Sequence, residues 1–309
     1  MTIEEWDSIA RTLEKGLFWI TISGGEPFLY KDLTRLARLL HDRCHPRIIN
    51  LPTNGLLVDR IPGIVEEISA SCGRSQVVVN VSIDGVGEMH DSIRGVPGSY
   101  EKSVRTFKAL KGLALPNLSV GIHTVISRFN APSFRSICDA VKALGPDSFI
   151  TEIAEERVEL GTVGAEIAPT SQEYAEAVGL LCSPSENGEL DRIGRMTHAF
   201  RVEYYETTKR WMREQKQIVP CYAGFASAHI SPDGNVWACC VKAKSLGSLK
   251  EVGYDFRKVW SSEKAREERR KIKDGACHCP LANAGYTNML FSPRALWRVG
   301  LNYLGLRRT

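Results

Sequence analysis

No apolar run in the 309 residues approaches the roughly 18 needed to cross a bilayer. The longest, such as Val77-Val78-Val79-Asn80-Val81, have the length of a strand. The start, Met1-Thr2-Ile3-Glu4-Glu5, is acidic and lacks a basic stretch followed by an apolar one, so no export signal is read and a cytoplasmic location is expected. A charge excess is also missing. Forty Lys plus Arg stand against 36 Asp plus Glu, and a net charge of +4 at this length makes no case for a nucleic-acid partner. With 43% hydrophobic and 25% charged residues, the chain is excluded from the disordered, collagen-like and coiled-coil classes. Its length allows one large domain or two ordinary ones.

Nine cysteines stand out against that ordinary background. Cys44, Cys72, Cys138 and Cys182 are scattered through helical or loop-like segments and read as small buried hydrophobes. Cys221, Cys239, Cys240, Cys277 and Cys279 fall within 59 residues. In a reducing compartment such clustering points to a metal site rather than to disulfides.

Short apolar runs alternate with amphipathic stretches from about Leu17 to Ile153. The spacing predicts strands at Leu17–Ile22, Arg47–Leu51, Val77–Ile83, Leu118–Ile126 and Ser148–Ile153. Helices are predicted near Asp32–Leu40, Arg60–Ser69, Tyr100–Leu110 and Pro132–Leu144. In the last, Phe134, Ile137, Cys138, Val141 and Leu144 repeat at the spacing of one buried helix face. This alternation implies right-handed parallel crossovers in an α/β fold, an open sheet or a partial barrel.

Beyond Glu152 the pattern changes. Glu152, Glu155, Glu156 and Arg157 near a strand end have the residue types for acid–base chemistry, but such a run reads first as a solvated charged face. Ser171–Cys182 and Gly194–Gln217 are expected as helices around a loop at Ser183–Asp191, with Tyr204, Tyr205 and Trp211 to pack. Ala228–Trp237 carries Pro232-Asp233-Gly234 and reads as a hairpin. Asp255–Lys273 reads as one helix, ended by Gly275 two residues before Cys277.

The strand ends carry the chemistry. Ser23-Gly24-Gly25-Glu26-Pro27 follows the first strand, where paired glycines let backbone approach a ligand and Pro27 stiffens the exit. Thr53-Asn54-Gly55 follows the second, and Ser82-Ile83-Asp84-Gly85 with His90-Asp91-Ser92-Ile93-Arg94-Gly95 follows the third. Each alone is compatible with a turn. In order, three strands deliver small and polar groups to one rim, the end at which parallel α/β folds bind ligands.

Those residues resemble the radical S-adenosylmethionine enzymes, and more narrowly the branch with a C-terminal cysteine-rich extension of the SPASM or twitch type. The resemblance covers residues 1 to about 285. It implies a partial (β/α)6 TIM-like barrel with a small cysteine-rich domain. It further implies S-adenosylmethionine as cofactor, bound by Gly24, Gly25, Glu26, Pro27 and Asn54. Ser82 and Arg94 would meet its carboxylate or ribose, since a guanidinium fork suits a carboxylate. Asp84 would either join them or only brace the turn before Gly85. Oxidoreductase chemistry started by a 5′-deoxyadenosyl radical, a small-molecule or peptide substrate, and an electron donor such as flavodoxin or ferredoxin complete the implied picture.

One departure weighs against it. The family's catalytic cluster is held by a Cys-x-x-x-Cys-x-x-Cys loop upstream of the Gly-Gly-Glu-Pro strand. Here 23 residues precede Gly24, none is cysteine, and the motif occurs nowhere. Thr2–Leu13 resembles the helix that follows that loop. The expectation is a missing N-terminus, from a late start or a truncation, with a degenerate relative as the alternative. Reductive cleavage of S-adenosylmethionine is then not expected of this polypeptide alone.

The resemblance also implies that Cys221, Cys239, Cys277 and Cys279 hold an auxiliary 4Fe–4S cluster. A four-cysteine set also suits structural zinc. Adjacent cysteines on an extended strand point to opposite sides, so one of Cys239 and Cys240 is a ligand, and Cys239 is preferred. His278 has the residue type to coordinate, though a supporting role fits better. Domains are expected at 1–158 (barrel), 159–218 (helical connector), 219–285 (cysteine-rich unit) and 286–309 (basic amphipathic tail). That tail interleaves Arg294, Arg298, Arg307 and Arg308 with Leu296, Trp297, Val299, Leu301, Tyr303 and Leu304, and is expected to pack on its own domain rather than on a membrane surface. The rival to an enzyme is a noncatalytic iron–sulfur or zinc module that uses the barrel as a docking surface.

Overall fold

Alternation along five strands decides the architecture. In the computed structural model, which describes residues 1–13, 15, 17–181 and 192–306 (the side chains of residues 192 and 193 apart), they form one parallel sheet in sequence order. The strands are β1 (Trp19–Thr21), β2 (Ile48–Thr53), β3 (Gln76–Ser82), β4 (Leu118–Ile126) and β5 (Ser148–Ile153). One face carries Ile49, Leu51, Val77, Val79, Val81, Val120, Ile122 and Ile126, all buried. Helices α2 (Leu33–Cys44), α3 (Ile61–Ser71), α5 (Ser99–Gly112) and α6 (Phe134–Leu144) cover it with Leu36, Leu40, Ile68, Leu110, Ile137 and Val141. Each such side chain contributes roughly 2 kcal/mol by leaving water. The pairing register places Thr21, Asn50, Asn80, Ser82, His123 and Glu152 together on the opposite face.

That opposite face is the inside of the partial barrel, and it is polar. Asn80 Nδ2 donates to Asn50 Oδ1 at 2.9 Å, and Asn50 Nδ2 donates to Thr21 Oγ1 at 3.3 Å. Gly121 completes the row because a Cβ there would lie 2.4 Å from Asn80 Oδ1. Among the described residues the sheet has five strands, where the resemblance implied six.

The expected buried cysteines are confirmed for Cys44, Cys72 and Cys138, while Cys182 and the loop 183–191 lie outside the described residues. Helix α4 (Glu88–Arg94), absent from the sequence reading, is fixed by Asp91, which accepts from Gly98 N, Ser99 Oγ and Tyr100 N at the start of α5.

After β5 come α7 (Ser171–Gly179) and the long α8 (Arg192–Glu214), then a three-stranded antiparallel sheet of β6 (His229–Ile230), β7 (Asn235–Trp237) and β8 (Ser245–Ser248). The hairpin is as expected, and β8 is an addition to it. The single helix expected over Asp255–Lys273 is two, α9 (Phe256–Trp260) and α10 (Glu263–Lys273). Ser262 breaks it: its backbone is extended, and its hydroxyl accepts from Ala265 N to cap a new helix.

Two helices bind the ends of the chain to the rest. Helix α1 (Ile3–Ala10) starts in a Thr2/Glu5 capping box. It sends Ala10 into the barrel core and Ile9 into the core of the cysteine-rich unit, among Val236, Leu246, Leu249 and Val259. Helices α11 (Ala282–Leu290) and α12 (Pro293–Tyr303) follow the cysteines. As expected, α12 packs on the protein itself: Ala295 and Val299 are buried, and Arg298 pairs with the buried Glu203 of α8 at 3.4 Å. Arg307 and Arg308 lie outside the described residues. No described helix is long and apolar enough to cross a membrane.

Candidate functional site

At the C-terminal ends of β1, β2 and β3 the three predicted loops meet solvent on one rim. Gly24 has φ +145°, and a Cβ built on Gly24 or Gly25 would meet nothing within 4 Å, so this backbone borders open space. Pro27 is buried and opens a 3-10 turn. The Glu26 carboxylate accepts from Phe28 N at 3.2 Å, Thr53 Oγ1 at 3.0 Å and Asn54 N at 2.8 Å. It thereby ties the loop after β1 to the loop after β2, with roughly one acceptor position left over. Asn54 Oδ1 accepts from Leu56 N at 3.0 Å, which closes the turn that its type favours.

The loop after β3 is built around Asp84. Its buried carboxylate accepts from Val125 N at 2.9 Å and pairs with Arg94 at 2.7 Å. The Asp84 N–H donates to His90 Nδ1 at 3.0 Å, and Gly85 makes room, since a Cβ there would lie 2.7 Å from His90 N. Asp84 therefore braces the turn and aims Arg94, whose side chain remains 32% exposed. Ser82 is half-buried on the inner face.

An ionic line runs on from there. His123 Nε2, on the inner face of β4, stands 3.4 Å from Glu152 Oε1 of β5. Arg157 lies 3.7 Å from Glu152 and 3.0 Å from Glu155. This corrects the expectation of a solvated charge run: the Glu155 side chain is 7% exposed and that of Glu152 16%. The cause is tertiary, for Val158 N bonds Val241 O at 3.1 Å and draws the run beneath the cysteine-rich unit. Glu156 alone behaves as a surface group, accepting from Gly164 N and Glu166 N. Burial pushes Glu155 up to about 7 against the pull of Arg157. For His123, burial works downward, but the adjacent Glu152 carboxylate leaves it raised. His123 also feels Asp84 and Arg94, while Glu155 feels Cys279 and Cys240, so the line links the rim to the cysteine site. His123 escaped the sequence reading. Its signal was a polar residue two positions after Gly121 in an apolar strand, in step with Asn80 and Ser82 next door.

The second site gathers Cys221, Cys239, Cys277 and Cys279. Burial pushes all four thiols up, against the opposing pull of nearby N–H groups. Ala223 N and the Asn288 side chain act on Cys221, and Val241 N and Lys242 N act on Cys239. The Lys242 side chain acts on Cys277, and Leu281 N acts on Cys279. The four also raise one another electrostatically. Such N–H donors stabilise thiolates, the form that binds iron or zinc. Among the described residues no three His, Cys, Asp or Glu side chains are spaced to close on a single ion. Four cysteine thiolates are a donor set that suits an iron–sulfur cluster and a structural zinc alike.

Cys240 behaves differently from its neighbour. It is buried against Leu281 and Ala284, and burial pushes its thiol up to about 12. His278 is held from α8, where Trp211 Nε1–H donates to its Nδ1 at 3.0 Å. The neutral ring then carries its proton on Nε2, leaving neither nitrogen a free lone pair for a metal.

The model described as the radical SAM superfamily matches residues 1–141, and that of the SPASM iron–sulfur cluster-binding domain matches residues 221–280. An AdoMet-dependent heme synthase of Nitratidesulfovibrio vulgaris is 30% identical over 279 residues, 81% of this chain and 67% of that protein. This chain belongs to the radical SAM superfamily. The family brings S-adenosylmethionine and iron–sulfur clusters as cofactors, and this radical SAM chain carries the SPASM domain as well. A PqqA peptide cyclase of Granulibacter bethesdensis is 26% identical over 298 residues, 89% of this chain and 74% of that one. The structure titled native anSMEcpe with bound AdoMet shares the fold, with a TM-score of 0.61 at 15% identity, over 99% of this chain and 88% of that chain. For the family's catalytic cluster the residues present do not fit. No cysteine precedes Gly24, and Cys44, Cys72 and Cys138 are sealed in the apolar core.

Proposed function

We propose that this radical SAM chain binds S-adenosylmethionine along Gly24, Gly25, Glu26, Pro27, Asn54, Ser82, Asp84 and Arg94. Its auxiliary 4Fe–4S cluster sits on Cys221, Cys239, Cys277 and Cys279, with Cys239 chosen over the apolar-facing Cys240. The chemistry is oxidoreductase-type, on a small molecule or a peptide, the classes named by the heme synthase and the peptide cyclase. Electrons come from a donor such as flavodoxin or ferredoxin. The observation that carries the cluster reading is the meeting of Cys221, Cys277 and Cys279 on the wall of one cavity, with Cys239 near enough to raise Cys221 electrostatically.

Anaerobic reconstitution tests it: about four irons and four sulfides per chain are expected for one such cluster. Cys221→Ala or Cys279→Ala abolishes uptake, whereas Cys44→Ala does not. Zinc bound one to one without sulfide overturns the assignment. With dithionite the 309 residues give no 5′-deoxyadenosine, because a cluster ligated by four thiolates has no open iron for the cofactor. The second reading is a noncatalytic iron–sulfur or zinc module that uses the barrel as a docking surface. A chain extended by a Cys-x-x-x-Cys-x-x-Cys loop separates the two, since only the enzyme then forms product.

A further inference from the structure

One face of α8 is aimed at the cysteine site. Tyr204, Thr207, Thr208 and Trp211 follow the i, i+3, i+4, i+7 spacing of a single helical stripe. Both aromatic ends of that stripe grip the segment that carries two of the cysteines. The Tyr204 hydroxyl donates to Pro280 O at 2.9 Å, and Trp211 Nε1 donates to His278 Nδ1 at 3.0 Å. Between these pins the two threonines line a cavity with about 60 Å³ of free volume, bordered also by Cys221, Cys277, Cys279, Gln217 and Asn288.

The polar atoms on that wall are unsatisfied. Thr207 Oγ1, Thr208 Oγ1 and Gln217 Nε2 are buried without a hydrogen-bond partner among the described residues. A helical threonine ordinarily bonds back to a carbonyl one turn earlier, and neither of these does so. Leaving a buried donor unpaired costs about 1–3 kcal/mol, so three around one cavity mark a place built for an acceptor. Asn288 borders the same cavity as Cys221, with its Oδ1 accepting from Tyr222 N at 2.7 Å.

We propose that Thr207, Thr208 and Gln217 donate hydrogen bonds to the sulfurs of the cluster held at this cavity and so set its reduction potential; this rests on the cluster reading above. Reduction adds negative charge to the sulfurs, and donors stabilise the reduced form more than the oxidised one. Removing them therefore lowers the midpoint potential. These are positioning residues of the cluster environment and hold no iron themselves.

The test is a redox titration, followed by electron paramagnetic resonance, of the reconstituted 309-residue chain. Thr207→Val with Thr208→Val keeps shape and removes both hydroxyls, and Gln217→Met removes the amide. Thr207→Ser with Thr208→Ser restores the donors. The expected result is unchanged iron and sulfide content in all variants, with the midpoint lowered in the Val pair and in Gln217→Met and recovered in the Ser pair. A tenfold fall in the reduced-to-oxidised ratio at fixed potential corresponds to 59 mV for one electron. Full iron content with an unmoved potential in both the Val pair and Gln217→Met overturns this inference and leaves the cluster reading standing. Failure of the unsubstituted chain to take up iron and sulfide overturns both.

Discussion

Glu155 shows how far a residue's surroundings can depart from its neighbourhood in sequence. It sits in a run of charges, yet its carboxyl is nine-tenths enclosed and titrates near 7 instead of near 4.5. The folded state thus holds this proton more tightly than the unfolded one between those two values. Stability must fall as pH rises through that window and level off above it. The expected loss is about 3 kcal/mol. Urea unfolding at pH 5 and pH 8 checks it: Glu155→Gln, which keeps the shape of the neutral acid, shows a smaller drop by that amount. An equal drop in both proteins removes the assignment. Burial of this kind arises from a segment 83 residues further on, Val241 over Val158, which no local pattern records. The preference for Cys239 over Cys240 rested on strand alternation, but β7 ends at Trp237 and both cysteines follow it, with Cys240 packed against Leu281 and Ala284.

For whole elements, legibility followed periodicity. Residues 118–126 and 148–153 form strands at the predicted bounds, since alternation between a covered and an open face leaves a period of two. The break at Ser262 was overlooked because charged residues on both sides sustain a helical pattern, and one cap hydroxyl is enough to interrupt it. The loops after β1 to β3 were singled out as a candidate ligand site by residue type and order. What sequence could not give was the bracing by Glu26 and Asp84, which depends on the loops being adjacent. From the open space beside Gly25, Gly25→Val is expected to fold with an unchanged unfolding midpoint and to bind S-adenosylmethionine at least tenfold more weakly. Isothermal titration calorimetry with parallel urea unfolding measures both. Unchanged affinity in the folded variant removes the rim from the cofactor assignment.

Across the molecule, α1 is the element on which both units depend. Ile9 is fully buried in the core of the cysteine-rich unit, while Ala10 belongs to the barrel core. Thr12 Oγ1 accepts from Phe256 N at 2.9 Å, and Glu5 accepts from the Tyr254 hydroxyl. Ile9→Ala is expected to cost about 2–5 kcal/mol. Because the lost contacts bridge the units, one calorimetric transition should move as a whole. A second, earlier transition belonging to residues 219–285 alone would show that α1 does not couple them.

The same helix imposes an order on synthesis. Thr12 and Phe256 are 244 residues apart, and at 5–20 residues per second the ribosome takes roughly 10 to 50 s to cover that distance. Until residues 236–259 are made, Ile9 lacks the core of Val236, Leu246, Leu249 and Val259 that covers it. The barrel can close early around Ala10, but the nascent protein stays sticky at its first helix until its last quarter emerges.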